Sequence, residues 1–174
     1  MTSRPDNVRV SQAAAADQEF LARMLQLYLH DFSEFARLDE PYGELRKDGT
    51  FWYPDFDSYW REPGRSAFFI WFGERIAGFA LVNRWSASGC SIDHAMAEFF
   101  ILRKYRRRNI GTYAAQSLIN QCPGVWEIPV AVYNRPALQF WPTVISSMDD
   151  YEIEEIPGDG ERWSGTIWRL ARDN

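Results

Sequence analysis

Residues Phe99–Thr112 read FFILRKYRRRNIGT, and their order decides how the chain folds. Four apolar residues, Phe99 to Leu102, close a run with strand character. Five bases follow: Arg103, Lys104, Arg106, Arg107 and Arg108. Ile110, Tyr113, Ala114, Ser117, Leu118 and Gln121 then recur at helical spacing until Pro123–Gly124 stops the stripe. A strand, a basic loop and a helix in that order make a seat for an anion. The first turn of a helix leaves backbone N–H groups unpaired and carries partial positive charge, so a phosphate or pyrophosphate is the natural occupant. Gly111, in that turn, is expected to let a ligand approach the backbone. The loop has neither the Walker pattern GxxxxGKS/T nor the dinucleotide fingerprint GxGxxG.

Outward from this stretch the periodicities place the other elements. Ser91–Leu102 reads as a strand. Ser66–Phe72 and Arg75–Trp85 read as an antiparallel hairpin around Gly73–Glu74. Asn7–Val10 fits a short first strand. Phe20, Leu21, Met24, Leu25, Tyr28, Leu29, Phe32 and Phe35 mark one face of a helix within Ala13–Ala36, with Asp17 favouring its early turn. Beyond the basic segment come a strand at Trp126–Val132 and a helix at Arg135–Ile145, with Pro136 tolerated in its first turn. Two closing strands, Tyr151–Ile156 and Arg162–Leu170, flank a Pro157–Gly160 turn. Leu38–Gly64 is broken by proline and glycine yet holds Tyr42, Phe51, Trp52, Tyr53, Phe56, Tyr59 and Trp60, with a short helix expected over Asp55–Trp60. Such a segment is a packed cover on the core, the wall of a pocket, or both.

The chain has 174 residues, 46% of them hydrophobic, with Phe 12, Trp 8 and Tyr 8, which suits a single domain over 1–174 and excludes disorder. Net charge is -5, but no Asp or Glu occurs from Phe99 to Trp126, and the rest of the chain sets 14 bases against all 24 acids. A small basic island sits in an acidic protein. Five clustered bases at this net charge argue against a nucleic-acid partner. Cys90 and Cys122 form no disulfide framework or CxxC pair, no metal-ligand spacing stands out, and no apolar run spans a bilayer. A cytoplasmic protein with free thiols, no membrane partner and no metal is expected.

The Phe99–Thr112 stretch resembles the acetyl-CoA loop of the GCN5-related N-acetyltransferases, the GNAT superfamily. That motif reads Arg/Gln-x-x-Gly-x-Gly/Ala after an apolar strand. Arg106 fills its first place and Gly111 its last, and Asn109 stands where the middle glycine is usual. Asparagine is the non-glycine residue that best tolerates a left-handed backbone. Val132–Trp141 is similar to the family's later Asn-x-x-Ala-x-x-Phe-Tyr segment, through Asn134, Ala137, Phe140 and Trp141, with Trp in the place of Tyr. The order of elements agrees over nearly the whole chain. Within the superfamily, Glu98–Arg108 and Trp52–Arg65 resemble uncharacterised bacterial predicted acetyltransferases.

The resemblance implies an α/β (α+β) fold: a mixed, mostly antiparallel sheet of about seven strands, helices on both faces, and strands four and five splayed. It implies acetyl-CoA as co-substrate. Backbone groups of Ile101, Leu102 and Arg103 would pair with the pantetheine arm. Arg106, Arg107, Arg108, Asn109, Ile110, Gly111 and Thr112 would hold the pyrophosphate. Asn134 would bond the cofactor or the neighbouring strand, and Ala137, Phe140 and Trp141 would line the thioester side. A carboxylate on the fourth strand often serves as base in this family, and Glu98 stands there. His94 is the second candidate, and plain alternation puts His94, Met96 and Glu98 on one face. Trp141 cannot act as the proton donor that a Tyr would be, and Tyr133 is expected to pack or bond locally.

The function so implied is transfer of acetyl from acetyl-CoA to a primary amine by direct attack in a ternary complex. Asp39, Glu40, Glu44, Asp55, Asp57 and Glu62, set among rings, suit a cationic small molecule or peptide; solvated acids on a packed lid suit the same residues. A catalytically degenerate acyl-CoA sensor is the alternative, favoured by Asn109 and Trp141. Dimers are common in the superfamily, though no sequence feature marks an interface for a homodimer.

Overall fold

Alternation along the central strand sorts its side chains to two faces: Phe79 and Leu81 join one apolar cluster, Ala80 and Val82 the other. The computed structural model describes residues 7–39 and 43–172, so Glu40, Pro41 and Tyr42 of the ring-rich segment lie outside the described residues. Seven strands form one sheet: β1 Val8–Gln12, β2 Ser66–Phe72, β3 Arg75–Asn83, β4 His94–Ile101, β5 Trp126–Ala131, β6 Tyr151–Pro157 and β7 Gly165–Arg172. Their order is β1-β2-β3-β4-β5-β7-β6, and every pairing is antiparallel except β4 with β5.

Helix α1, Gln18–Phe32, buries Leu21, Met24, Leu25 and Leu29 against Phe69, Phe79, Leu81 and Phe100 on one face. Helices α2, Ile110–Gln121, and α3, Arg135–Ile145, cover the other with Ile110, Leu118, Ile119, Trp141 and Val144. The expected layout is therefore present, with helices on both faces.

Element ends differ from expectation where side chains redirect the backbone. The first helix is shorter than Ala13–Ala36, because 3-10 turns at Ala15–Asp17 and Ser33–Phe35 flank it; the Asp17 carboxylate accepts from the Ala14 amide at 2.8 Å. Strand β3 stops at Asn83, whose Oδ1 accepts from the Trp85 amide at 2.9 Å and turns the chain out of the sheet. Strand β7 begins at Gly165, not Arg162, because Asp159 Oδ1 gathers the amides of Glu161, Arg162 and Trp163 at 3.0, 2.7 and 3.2 Å.

Strands β4 and β5 pair only through His94 with Trp126 and Ala95 with Glu127, then part. At the closed end Glu127 is 0% exposed. The β3–β4 loop wraps its carboxylate: Ser86 Oγ reaches both oxygens at 3.1 Å, the Ala87 and Ser88 amides donate at 2.7 and 3.3 Å, and Ser88 Oγ donates as well. Glu127→Ala would strand those donors and should lower unfolding free energy by about 3 kcal/mol, read by urea denaturation; a loss under about 1 kcal/mol would show that the clamp is unimportant.

Candidate active site

A bulge in β4 decides which residues share a face. Leu81 pairs with Glu98 and Val82 with Met96, so Ala97 is an extra residue that breaks alternation. Met96 joins the α2–α3 core, whereas Glu98 faces α1 and accepts a hydrogen bond from the Tyr28 hydroxyl. The expected common face for His94, Met96 and Glu98 is therefore corrected. His94 stacks on Trp126 at 4.8 Å, and its Nε2 lies 3.1 Å from the Pro123 carbonyl oxygen. Nothing brings it to Glu98.

Around Glu98 stands a set of phenols that sequence patterning did not single out. Burial pushes the Glu98 carboxyl up to about 7, against the opposing pull of hydrogen bonds from Tyr28 and Tyr53. Burial, and then the Glu98 charge, drive the Tyr53 phenol far up, so it stays a donor. Tyr59 is also raised by burial and is hydrogen-bonded to Tyr53 and to Asn83. Tyr28 lay in plain view on the apolar face of α1; its partner did not, because the pair is 70 positions apart.

The basic loop divides its charges. Arg103 Nη2 reaches Asp31 of α1 at 2.6 Å, and Arg106 Nη2 reaches the other oxygen of the same carboxylate at 2.5 Å. Arg106 Nε also donates to the Ile101 carbonyl at 2.7 Å, an oxygen expected to be offered to pantetheine. The Leu102 amide stays on β3, bonded to the Ala77 carbonyl at 2.8 Å. Arg103 and Arg106 thus anchor the loop, while Arg107 and Arg108 are exposed beside it. Burial alone would raise the Asp31 carboxyl, but hydrogen bonds and charge from Arg103 and Arg106 hold it below its usual range.

Loop shape needs two left-handed residues. Asn109 has φ 58°, as its place in the motif suggested, and Arg107 has φ 60°, which no sequence signal indicated. Asn109 makes no side-chain cap, so the first amides of α2 receive nothing from it. Gly111 also has a packing reason. A Cβ there would sit 3.3 Å from the Phe140 ring and 3.4 Å from the Ile101 side chain, so the missing side chain lets α2 pack against α3 and β4. Ile110 is core, and Thr112 half-buried.

In the second motif, Asn134 Oδ1 accepts from the Ala137 amide at 3.2 Å, capping α3. That oxygen is therefore held by its own chain. Ala137 and Phe140 are half-buried, with Phe140 stacked on Phe99 at 5.8 Å. Trp141 is only 4% exposed and packs edge-on against Phe99, within the α2–α3 core. Tyr133 packs against Phe32 and Phe35 at 6.1 and 6.0 Å, bridging the end of β5 to the end of α1.

The ring-rich segment is a strapped cover. Phe51, Tyr53, Phe56, Tyr59 and Trp60 pack on the α1-side core, a 3-10 turn spans Phe56–Trp60, and Gln26 bonds the Phe51 amide at 2.7 Å. Trp52 alone among its described rings stays 67% exposed. Its acids form no wall: Asp39 pairs with Arg37, Asp57 with Arg61 and Glu62 with Arg65, while Glu44 and Asp55 are exposed. Glu40 lies outside the described residues.

Among the described residues no group of three His, Cys, Asp or Glu could hold a metal, and no helix is long and apolar enough to cross a membrane. Cys90 is exposed and Cys122 half-buried, both free thiols.

The sequence profile of the Acetyltransferase (GNAT) family matches residues 21–143. No curated protein is similar enough in sequence to count as a relative. An acetyltransferase from Thermus thermophilus superposes with TM-score 0.65 at 13% identity, covering 98% of this chain and 100% of that one. The ribosomal-protein-S18-alanine N-acetyltransferase from Escherichia coli gives 0.53 at 11% identity, covering 96% of each. An acetyltransferase from Bacillus subtilis, solved in complex with CoA, gives 0.50 at 12% identity, covering 96% and 99%. At these identities the likeness is one of fold.

The double anchor on Asp31 can be tested through its titration. Its folded-state pKa is depressed, so its stabilisation is present above the ordinary carboxylate range and is lost as pH falls through the lowered value. Asp31→Asn should cost about 1 kcal/mol at pH 7, with a smaller gap in urea denaturation at a pH below the ordinary carboxylate range. An equal gap at both pH values would remove the ion pairs as its cause.

Proposed function

The chain belongs to the GNAT acetyltransferase family, and on that premise we propose that it acetylates a primary amine of a small molecule or peptide, with Glu98 as general base. One observation carries the reading. The carboxyl that the β4 bulge sends toward α1 has its pKa pushed up to about 7, where a base can both accept and release a proton at neutral pH.

Members of the family use acetyl-CoA, which supplies the acyl group as a thioester. The residues present fit it in part. The gap beyond the two β4–β5 pairs leaves strand edges apart, and the first turn of α2 presents amides that Asn109 does not cap. Lys104, Arg107 and Arg108 are the loop's cations that Asp31 does not engage. Backbone from Arg106 to Thr112, with Arg107 and Arg108, would hold the phosphates. Phe140 and Ala137 would face the arm between the strands.

The acceptor arrives as an ammonium ion, and its charge is met by Glu98 and nearby rings, while three of the cover's acids pair with neighbouring arginines. Glu98 takes a proton from it, directly or through a water, while Tyr28 and Tyr53 hold the carboxylate in place. The freed amine then attacks the thioester carbonyl within a ternary complex. His94, held on the other face by Trp126 and Pro123, takes no part. Trp141 offers no acid, so solvent protonates the departing thiolate.

Thiol release measured against a panel of amines tests the reading. If acetyl-CoA is bound and left intact with every amine, the degenerate-sensor alternative replaces it. For Glu98 itself, kcat/KM should rise with pH through about 7 and then level, because the base works ionised. Glu98→Gln should lose about 100-fold or more in kcat and flatten that profile. The raised folded-state pKa means that ionised Glu98 costs stability as pH rises through about 7, so the variant should melt no lower than wild type at pH 8. Unchanged kcat in a folded Glu98→Gln variant would end its role as base.

A further inference from the structure

Tyr28 reaches Glu98 from α1, and Tyr53 reaches it from the ring-rich cover. Behind Tyr53 stands Tyr59, only 5% exposed and hydrogen-bonded to Tyr53 and to Asn83. The 3-10 turn that carries Tyr59 is held at both ends. Gln18 Nε2 of α1 donates to Asp57 at 2.6 Å, and Trp60 Nε1 donates to the Ala14 carbonyl at 3.1 Å.

Asn83 closes β3. Phe79 and Leu81 lie on the α1 side of that strand, so alternation turns Asn83 the same way. Its Oδ1 accepts from the Trp85 amide at 2.9 Å. A backbone N–H only donates, so this bond fixes how the Asn83 amide is turned and leaves its NH2 for Tyr59. Burial raises the Tyr59 phenol, and Asn83 is among the groups that oppose the rise, as an N–H donor to the phenol oxygen must.

Direction then passes along the series. A phenol has one proton. Tyr59 accepts from Asn83 and keeps its own proton for Tyr53. Tyr53 accepts from Tyr59 and keeps its own for Glu98. An amide takes up no proton near neutral pH, so the series polarises Tyr53 and conducts nothing away.

We propose that Tyr59 and Asn83 are positioning residues for Glu98, turning Tyr53 so that its proton points only at the carboxylate. The proposal rests on the reading of Glu98 as base. Each bond in such a series strengthens the next, and donors to the ionised carboxyl offset part of the rise that burial imposes. The charged groups nearby are engaged elsewhere. Arg65, 5.6 Å from the centre of the Tyr59 ring, pairs with Glu62. Asp31, three residues along α1 from Tyr28, is held by Arg103 and Arg106. Glu127 of β5 is sealed by donors from the β3–β4 loop.

NMR titration with carbon-13 in the glutamate carboxyls reads the relay without turnover. The Glu98 signal is the one absent from Glu98→Gln. Asn83→Asp is nearly isosteric but puts an acceptor where the donor was. Tyr59 then donates to position 83, Tyr53 turns to Tyr59, and Glu98 loses a bond. Its midpoint should rise by about one pH unit. Tyr59→Phe leaves Tyr53 a weaker donor, for a rise of about 0.3. The introduced charge also acts through space, so a double-mutant cycle decides. Within Tyr59→Phe, Asn83→Asp should raise the midpoint by about half as much or less. Where Tyr59→Phe fails to fold, Tyr53→Phe closes the same cycle. An equal rise with and without the phenol would overturn the proposal, as would unmoved midpoints in variants that merely melt lower. The kcat/KM profile should follow the NMR midpoint in each variant. Midpoints that move as expected while no amine releases thiol, or while the rate profile stays put, would keep the relay and remove Glu98 as base.

Discussion

Two residue pairs, His94 with Trp126 and Ala95 with Glu127, join the halves of this sheet. Parallel strands that part so early leave N–H and C=O groups along both edges, which folded proteins rarely tolerate without partners. The molecule meets that constraint at both ends. At the closed end, the buried Glu127 carboxylate gathers the β3–β4 loop, and the Asp93 carboxylate accepts from the Val125 amide at 2.8 Å. At the open end, Arg106 folds back onto the Ile101 carbonyl. The parting survives because each side is fixed independently of the other.

The bulge at Ala97 sets the chemistry as firmly as the parting sets the architecture. Without it, Glu98 would take the face of Met96 and enter the α2–α3 core. With it, the carboxylate meets Tyr28 and Tyr53, and burial moves its titration to neutrality. Gly78 permits the close strand approach beside it, since a Cβ there would come within 2.0 Å of the Phe100 carbonyl oxygen. A backbone irregularity and an absent side chain thus place one buried carboxyl among phenols.

Much of this was legible in the chain. Strand and helix periodicities gave every main element, and the Phe99–Thr112 stretch marked the loop, including the left-handed Asn109. What escaped was set by contacts distant in sequence. Asp31 gave no hint that it would hold Arg103 and Arg106, 72 and 75 positions away. Alternation misplaced His94 relative to Glu98 because a bulge has no periodic signature. Glycine at position 111 read as room for a ligand, and the close contact it also allows with Phe140 had no local signal. Acids scattered through the ring-rich segment read as a cationic pocket or as a solvated lid, and only the structure shows three of them paired with arginines.

Tyr28 and Asp31 lie three residues apart on α1, so they share one face of the helix. One turn of helix therefore holds both the partner of the Glu98 carboxylate and the anchor of the basic loop. This arrangement restricts how the protein can diverge. Substitutions on that turn disturb both at once, and their effects will combine non-additively. Drift in acceptor preference is thereby channelled away from α1 and into the ring-rich cover, where an exposed residue such as Trp52 can change without touching the loop.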